Sequence, residues 1–343
     1  MINTELLEKK LYALKIPGRV ISISDNDFYE IYAVLFNLDV TIAKIKARKN
    51  DLTAFCGGSV DIETGTDSKI YIKVAKNTRD VIGVYDFTEK LSQGIDGQKI
   101  PLIIGETENG EMLFYDLVKM PHLLAGGSTG SGKSVFIHNC ILSTFYSGVC
   151  NPILIDVKRV EFSIYENIPF LAGPVCYDSR QAVDVLRALC DVMIKRYEML
   201  KSNKCRNIEE YRFKKGSLNY IPVFIDELAD LVINDKRIEK YLIRIAQLGR
   251  ACGIHLILAT QRPDSKIISG LIRVNVPSRV CFAVQKSTDS RIILDTNGGE
   301  NLKGNGDGLF LPIGSKNPVR FQAPYITTDG LEKAVNMVIQ ANS

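Results

Sequence analysis

Residues 127–134 read Gly-Ser-Thr-Gly-Ser-Gly-Lys-Ser, the spacing G-x-x-x-x-G-K-[ST] of a phosphate-binding loop. Each fixed position answers a demand of a polyphosphate. Gly127, Gly130 and Gly132 let the backbone turn with its N–H groups inward, where side chains would block the anion. Lys133 brings a point charge to the β- and γ-phosphates, and the Ser134 hydroxyl can ligate Mg²⁺. Ser128, Thr129, Ser131 and Val135 complete the expected cradle for ATP. The bland alternative is a Gly/Ser turn before a helix. The flanks speak for the loop: residues 121–125 form a short apolar strand, and Val135 to Phe145 have a helical pattern. A helix starting near Lys133 would aim its positive dipole end at the bound anion.

A second signal follows the apolar run 221–225, which ends in Asp226-Glu227. Carboxylates at the carboxyl end of a buried parallel strand are costly unless a cation or substrate meets them. Beside a phosphate loop, Asp226 would hold the Mg²⁺ shell through water, and Glu227 would orient and deprotonate the attacking water. The alternative is a helix N-cap by Asp226 ahead of Leu228. A third apolar strand, 254–259, runs into Thr260-Gln261-Arg262-Pro263. Gln261 there could touch the γ-phosphate or the water, or simply cap the strand.

The elements that would carry these residues alternate. From Met120 onward, short apolar runs (122–126, 153–157, 221–225, 254–259, 279–284 and 308–311) are separated by helical stretches, the signature of parallel βαβ units in an α/β fold. The clearest helix spans 179–201, with apolar residues at helical spacing. Ahead of this, a strand is expected over 31–36, a basic amphipathic helix over 40–50 and an alternating strand over 69–74. Residues 92–100 are Gly/Gln-rich and read as a connection, followed by a hairpin with Asn109-Gly110 as its turn. The expected division is a small α+β domain, 1–100, and a larger one, 101–343.

Bulk properties exclude other classes. The chain has 343 residues, 45% of them hydrophobic, enough for a sizeable core. No apolar run approaches a membrane span, and Met1-Ile2-Asn3-Thr4-Glu5 does not begin a signal peptide. The eight cysteines form no C-x-x-C pair and are expected as reduced core residues of a cytoplasmic protein. The three histidines, at 122, 138 and 255, are too scattered for a metal cluster and are expected to be structural. The net charge is +4, and the segment 261–291, with six basic and two acidic residues, accounts for all of it. Such a local excess marks a place for an anion, nucleic acid first, or an ordinary solvated surface.

Together, the phosphate loop, residues 224–231, Gly249-Arg250-Ala251-Cys252-Gly253, Ala259-Thr260-Gln261-Arg262-Pro263 and Asp289-Ser290-Arg291 resemble the FtsK/SpoIIIE family of DNA translocases. The resemblance covers about residues 121–326 and runs more weakly through Ile155-Asp156-Val157-Lys158 into 29–75, which is similar to the smaller α domain of these motors. It implies a RecA-like P-loop NTPase core with a mainly parallel sheet, an ATPase using ATP and Mg²⁺, and hexameric rings that pump double-stranded DNA. It also implies that Arg250 is a finger on a neighbouring subunit's ATP, that Gln261 is the sensor, and that Thr260, Arg262, Arg273 and Arg291 face DNA. For Arg250 the plain alternative is a surface arginine at a helix end.

The chain departs from the family at Lys286-Ser287-Thr288, where members often have Ser-Ser-Lys, so the lysine contact to DNA is expected in shifted form at Lys286. It stops at Ser343, without the winged-helix domain, membrane segments or linker of chromosomal members. The expectation is a stand-alone motor, or a piece cut to the motor. Two other functions stay open: a conjugative coupling or packaging ATPase acting on single-stranded or protein-bound DNA, and a nucleotide-regulated scaffold that does not move.

Overall fold

The computed structural model describes residues 2–25, 29–57, 60–65, 69–76, 89 and 97–341. Contacts divide the chain into two compact units, Met1–Asp80 with Glu108–Glu111, and Val81–Thr107 with Met112–Ser343.

In the smaller unit, α1 (Thr4–Ala13), β1 (Gly18–Asp25), β2 (Tyr29–Phe36), α2 (Ile42–Ala47), α3 (Lys49–Cys56), β3 (Val60–Thr64) and β4 (Ile70–Ala75) follow in order. The strands form an antiparallel sheet in the order β1-β2-β4-β3. Leu7, Leu11, Tyr32, Val34, Ile45, Leu52 and Ile72 are buried together in its core. The single helix expected over 40–50 is two. Thr41 caps α2 by accepting from the Lys44 amide, and Arg48, at φ −97° and ψ 7°, ends α2 and starts α3. The connection expected over 92–100 lies largely outside the described residues.

The first described strands of the larger unit are those of the expected hairpin, β5 (Pro101–Thr107) and β6 (Met112–Asp116), whose turn falls within the Glu108–Glu111 stretch grouped with the smaller unit. Gly110 sits at φ 79° in the turn, a conformation that favours glycine. Then come β7 (His122–Gly126), α4 (Lys133–Tyr146), β8 (Ile153–Ile155), α5 (Ser179–Ser202), α6 (Ile208–Lys215), β9 (Ile221–Ile225), α7 (Leu228–Asn234) and α8 (Arg237–Leu248). After them lie β10 (Ile254–Thr260), α9 (Gly270–Asn275), β11 (Ser278–Phe282), α10 (Ser287–Leu294), β12 (Asp307–Leu311), β13 (Val319–Gln322) and α11 (Thr328–Ala341).

The sheet runs β6-β5-β13-β12-β11-β7-β10-β9-β8. The strands from β11 to β8 are parallel; those from β12 to β6 pair antiparallel. Successive side chains take opposite faces. Leu123, Ala125, Phe224 and Ile257 pack with Phe136 and Ile141 of α4. Leu124, Val223, Ile225 and Leu256 pack with Leu186 and Met193 of α5 and Ile245 of α8. β7 lies between β10 and β11, neither of them its neighbour in sequence. This is a topological switch point, where α/β sheets open a crevice at the strands' carboxyl ends.

The strand expected over 308–311 exists, but it is antiparallel rather than the last of a parallel series. Gly308 pairs with Phe282 at the end of β11. Helix α10 and the turn after it return the chain to the same end of the sheet, so β12 must run backwards. β8 stops at Ile155, two residues short of the expected end, because the Asp156 carboxylate turns the backbone that follows.

Candidate active site

The phosphate loop joins β7 to α4 and is tied down on three sides. The Gly127 amide donates to the Thr260 carbonyl at 3.2 Å, the Ser128 amide to the Ala283 carbonyl at 2.9 Å, and the Gly306 amide to the Ser131 carbonyl at 2.8 Å. Gly132 has φ 102°, and a Cβ there would stand 2.3 Å from the Gly306 nitrogen. Gly130 has φ 76° with nothing within 4 Å of such a Cβ. α4 begins at Lys133 with no side-chain cap, which leaves its first amides free for an anion. The Ser131 hydroxyl is buried and, among the described residues, unpartnered. A polyphosphate would satisfy it.

Lys133 is 2% exposed. Its ammonium donates to the Asp226 carbonyl at 3.1 Å and to Asp226 Oδ1 at 3.3 Å. Asp226, at the end of β9, is equally buried; burial raises its pKa, and the Lys133 charge opposes the rise. Beside it, Glu227 accepts from Thr260 Oγ1 at 2.6 Å, from the Gln261 amide at 3.1 Å and from Lys158 Nζ at 3.3 Å. It also accepts from the Ala229 amide at 3.4 Å, as N-cap of α7. The capping role considered for Asp226 therefore belongs to Glu227. The Gln261 side chain accepts from Thr129 Oγ1 at 2.9 Å, so one residue touches the phosphate loop with its amide group and Glu227 with its backbone.

Four residues to which sequence reasoning gave no role in the site complete the floor. Asp156, wholly buried, accepts from the backbone amides of Lys158, Arg159, Glu161 and Phe162 at 2.9–3.1 Å. That turn delivers Lys158 to Glu227 and Glu161 to His138, whose Nε2 is 3.2 Å from Glu161 Oε2. The hydrogen bond to His138 holds Glu161 below the usual carboxylate pKa against its burial, and the Ser134 hydroxyl adds to the effect. The signal that could have found them is the strand ending in Asp156-Val157-Lys158, placed as Asp226-Glu227 is.

Ser134, Asp226 and Glu161 offer hard oxygen donors of the kind Mg²⁺ takes. The residues fit the ion.

The basic segment divides. Arg262, Lys286 and Arg291 are exposed, and Arg291 Nε donates to Asn297 at 2.7 Å. Arg273 is bound to Asp295 at 3.1 Å. The same carboxylate binds Arg279, which is 7% exposed and also donates to the Ile293 and Arg273 carbonyls. One of the six positive charges of the segment is thus internal. Thr260 corrects the expectation of a DNA-facing residue: it is wholly buried and spends its hydroxyl on Glu227.

Arg250 is exposed in the single turn before β10, at the amino end of that strand. The cradle lies at the carboxyl ends. Seven residues of β10 at about 3.3 Å each put roughly 20 Å between them. His122 and His255 are structural, as expected: both are buried, and burial pushes their pKa down to about 3 and about 4. All eight cysteines are free and all but Cys56 are buried. No helix of the described residues is long and apolar enough to cross a membrane.

The FtsK/SpoIIIE family model matches residues 95–219 and 212–265. The DNA translocase FtsK of Caldanaerobacter subterraneus subsp. tengcongensis is 37% identical over 97% of this chain, and the DNA translocase SpoIIIE of Bacillus subtilis is 36% identical over 98%. The chain spans about half the length of these relatives, 48% and 45%. Among solved structures, the pCW3 conjugation coupling protein TcpA, in its monomer form with ATPγS, superposes with a TM-score of 0.72 at 27% identity, covering 99% of both chains. The cytoplasmic domain of the type VII secretion ATPase EccC of Thermomonospora curvata shares the fold, with a TM-score of 0.64 at 23% identity over 70% of this chain and 31% of that one. A phosphate loop at the switch point, an acidic pair at the end of β9, one strand beyond β10, and this match along nearly the whole chain lead to one assignment: the chain belongs to the FtsK/SpoIIIE family and carries a P-loop ATPase fold.

Proposed function

We propose that this chain is an ATP-driven DNA translocase. The observation that carries the reading is Glu227, a buried carboxylate fixed by Thr260, Gln261 and Lys158 beside the phosphate loop. So fixed, it can orient a water towards the γ-phosphate and take its proton. Lys133 moves its charge from Asp226 to the β- and γ-phosphates. Ser134 and the Asp226 shell would hold Mg²⁺, which would supply positive charge against the charge developing on the phosphates. Gln261 links the state of the phosphate loop to Glu227.

Residues 101–343 form the motor and 1–100 its smaller partner domain. The motor works in the cytoplasm as a closed ring, a hexamer, in which Arg250 reaches the ATP of a neighbour; the roughly 20 Å to its own cradle support action in trans. Double-stranded DNA passes along Arg262, Lys286 and Arg291, held by its phosphates without base preference, with Arg273 joining once released from Asp295. The test is ATP hydrolysis with and without linear duplex, and triplex displacement driven by ATP. Duplex-stimulated hydrolysis and displacement, both abolished in Glu227→Gln while nucleotide still binds, are expected. Hydrolysis near normal in that variant would remove Glu227 as the base.

A second reading, a conjugative coupling ATPase acting on single-stranded or protein-bound DNA, is favoured by the match to TcpA over 99% of both chains. Stronger stimulation by single strands than by duplex would select it.

A further inference from the structure

We propose that Glu161 is a further carboxylate of the metal shell, a positioning residue aimed at the waters of Mg²⁺ by His138. The inference rests on the reading of the loop as an ATP–Mg²⁺ site. Three carboxylates stand at the strand ends, and each is engaged. Asp156 spends its acceptor positions on four backbone amides. Glu227 is held by Thr260, Gln261, Lys158 and Ala229. Asp226 faces Lys133. Glu161 differs: one oxygen meets His138 at 3.2 Å, one turn along α4 from Ser134, and the side chain stays 27% exposed.

His138 lies one turn beyond Ser134 on α4, on the same face. Its Nδ1 is 2.8 Å from the Tyr165 hydroxyl; with Tyr165 donating there, the Nε2–H faces Glu161. A buried tyrosine and histidine thereby fix the direction of a carboxylate next to the Mg²⁺-binding serine, the arrangement by which outer-shell groups orient a metal's ligands. Folding the loop does not require this chain of contacts, because the Asp156 carboxylate already fixes residues 158–162.

The probe is Mn²⁺ in place of Mg²⁺. Titrating Mn²⁺ into the full chain with ADP, followed by electron paramagnetic resonance, reads the Kd of the ion directly. A fluorescent ADP in EDTA reads the nucleotide alone. Glu161→Gln should raise the Mn²⁺ Kd about tenfold or more, the usual cost of losing an outer-shell partner, with ADP affinity in EDTA unchanged. His138→Asn, which keeps the carboxylate but frees its direction, should move the Mn²⁺ Kd the same way by less. Melting curves confirm that both variants fold. A wild-type Mn²⁺ Kd in Glu161→Gln overturns the proposal while leaving the nucleotide site intact. Failure of the unaltered protein to bind ADP with or without metal overturns the nucleotide reading, and the proposal with it.

Discussion

Thr260 donates its hydroxyl to Glu227 across 2.6 Å, with both side chains buried. The last residue of β10 thereby holds the acidic residue that follows β9. A hydrogen bond to a buried charge contributes about 1.5–3 kcal/mol. Thr260→Val should therefore lower the turnover number about 10- to 100-fold with nucleotide affinity unchanged, and Thr260→Ser should restore most of it. Steady-state hydrolysis and nucleotide Kd, measured on the same preparations, check this. Equal loss of both would place Thr260 in binding.

The glycines of the loop should separate by what surrounds them. Gly132→Ala puts a Cβ 2.3 Å from the Gly306 backbone at φ 102°, so both folding and binding should suffer, and the melting temperature should drop by several degrees. Gly130→Ala meets nothing within 4 Å. It carries only the strain of φ 76°, about 1–2 kcal/mol, so its main effect should be on nucleotide affinity. Thermal melts beside nucleotide titrations decide the order.

Acid should destabilise the core through His122 and His255. Burial depresses His122 to about 3, helped by its nearness to His255, and burial depresses His255 to about 4 against its hydrogen bond to the Pro121 carbonyl. The unfolded chain takes up these protons near pH 6.5 and the folded chain does not. Their contribution is complete above about pH 6.5 and is lost as the pH falls towards 4. At pH 5.5 each costs about 1.4 kcal/mol. Urea unfolding at pH 7.5 and 5.5 measures the sum, and imidazole resonances of two histidines that stay neutral in the folded protein at pH 5.5 identify the source.

DNA affinity should fall steeply with salt, and single substitutions should flatten the slope unequally. Arg262 is exposed, whereas Arg273 already holds Asp295 at 3.1 Å. Arg262→Ala should reduce the slope by about one, and Arg273→Ala by less. Affinities at three or four salt concentrations read the difference; equal slopes would contradict the engagement of Arg273.

Subunits carrying Arg250→Ala and subunits carrying Glu227→Gln, each inactive alone, should regain part of the ATPase activity when mixed. A mixed ring contains boundaries where an intact Glu227 faces a neighbour's intact Arg250. No recovery at any ratio, with co-assembly shown by cross-linking, would return Arg250 to a structural role.

The sequence is most legible where the candidate residues are contiguous. The loop 127–134 and the pair Asp226-Glu227 are runs, and β7 and β9 begin and end where apolar stretches do. Helix α5 was legible from its period. Strand direction is not a local property, so the reversal of β12 was hidden. Lys158 and Glu161 meet the site only because Asp156 folds the loop that carries them. β10 is buried on both faces, so no alternation of polar and apolar residues reveals that Thr260 turns inward. β1, Gly-Arg-Val-Ile-Ser-Ile-Ser-Asp, has a weak pattern because most of it is exposed.

The ties that join Gly127 to Thr260, Ser128 to Ala283 and Ser131 to Gly306 run between backbone groups of the chain itself. Ordering backbone costs about 1–2 kcal/mol per residue, and a loop that formed only around its nucleotide would lose that much affinity for every residue it had to freeze. Here the shape is set when the sheet assembles. Nucleotide capture can then approach the speed of simple encounter, and the amide hydrogens of Gly127, Ser128 and Gly306 should exchange with solvent as slowly as those of the strands that frame them.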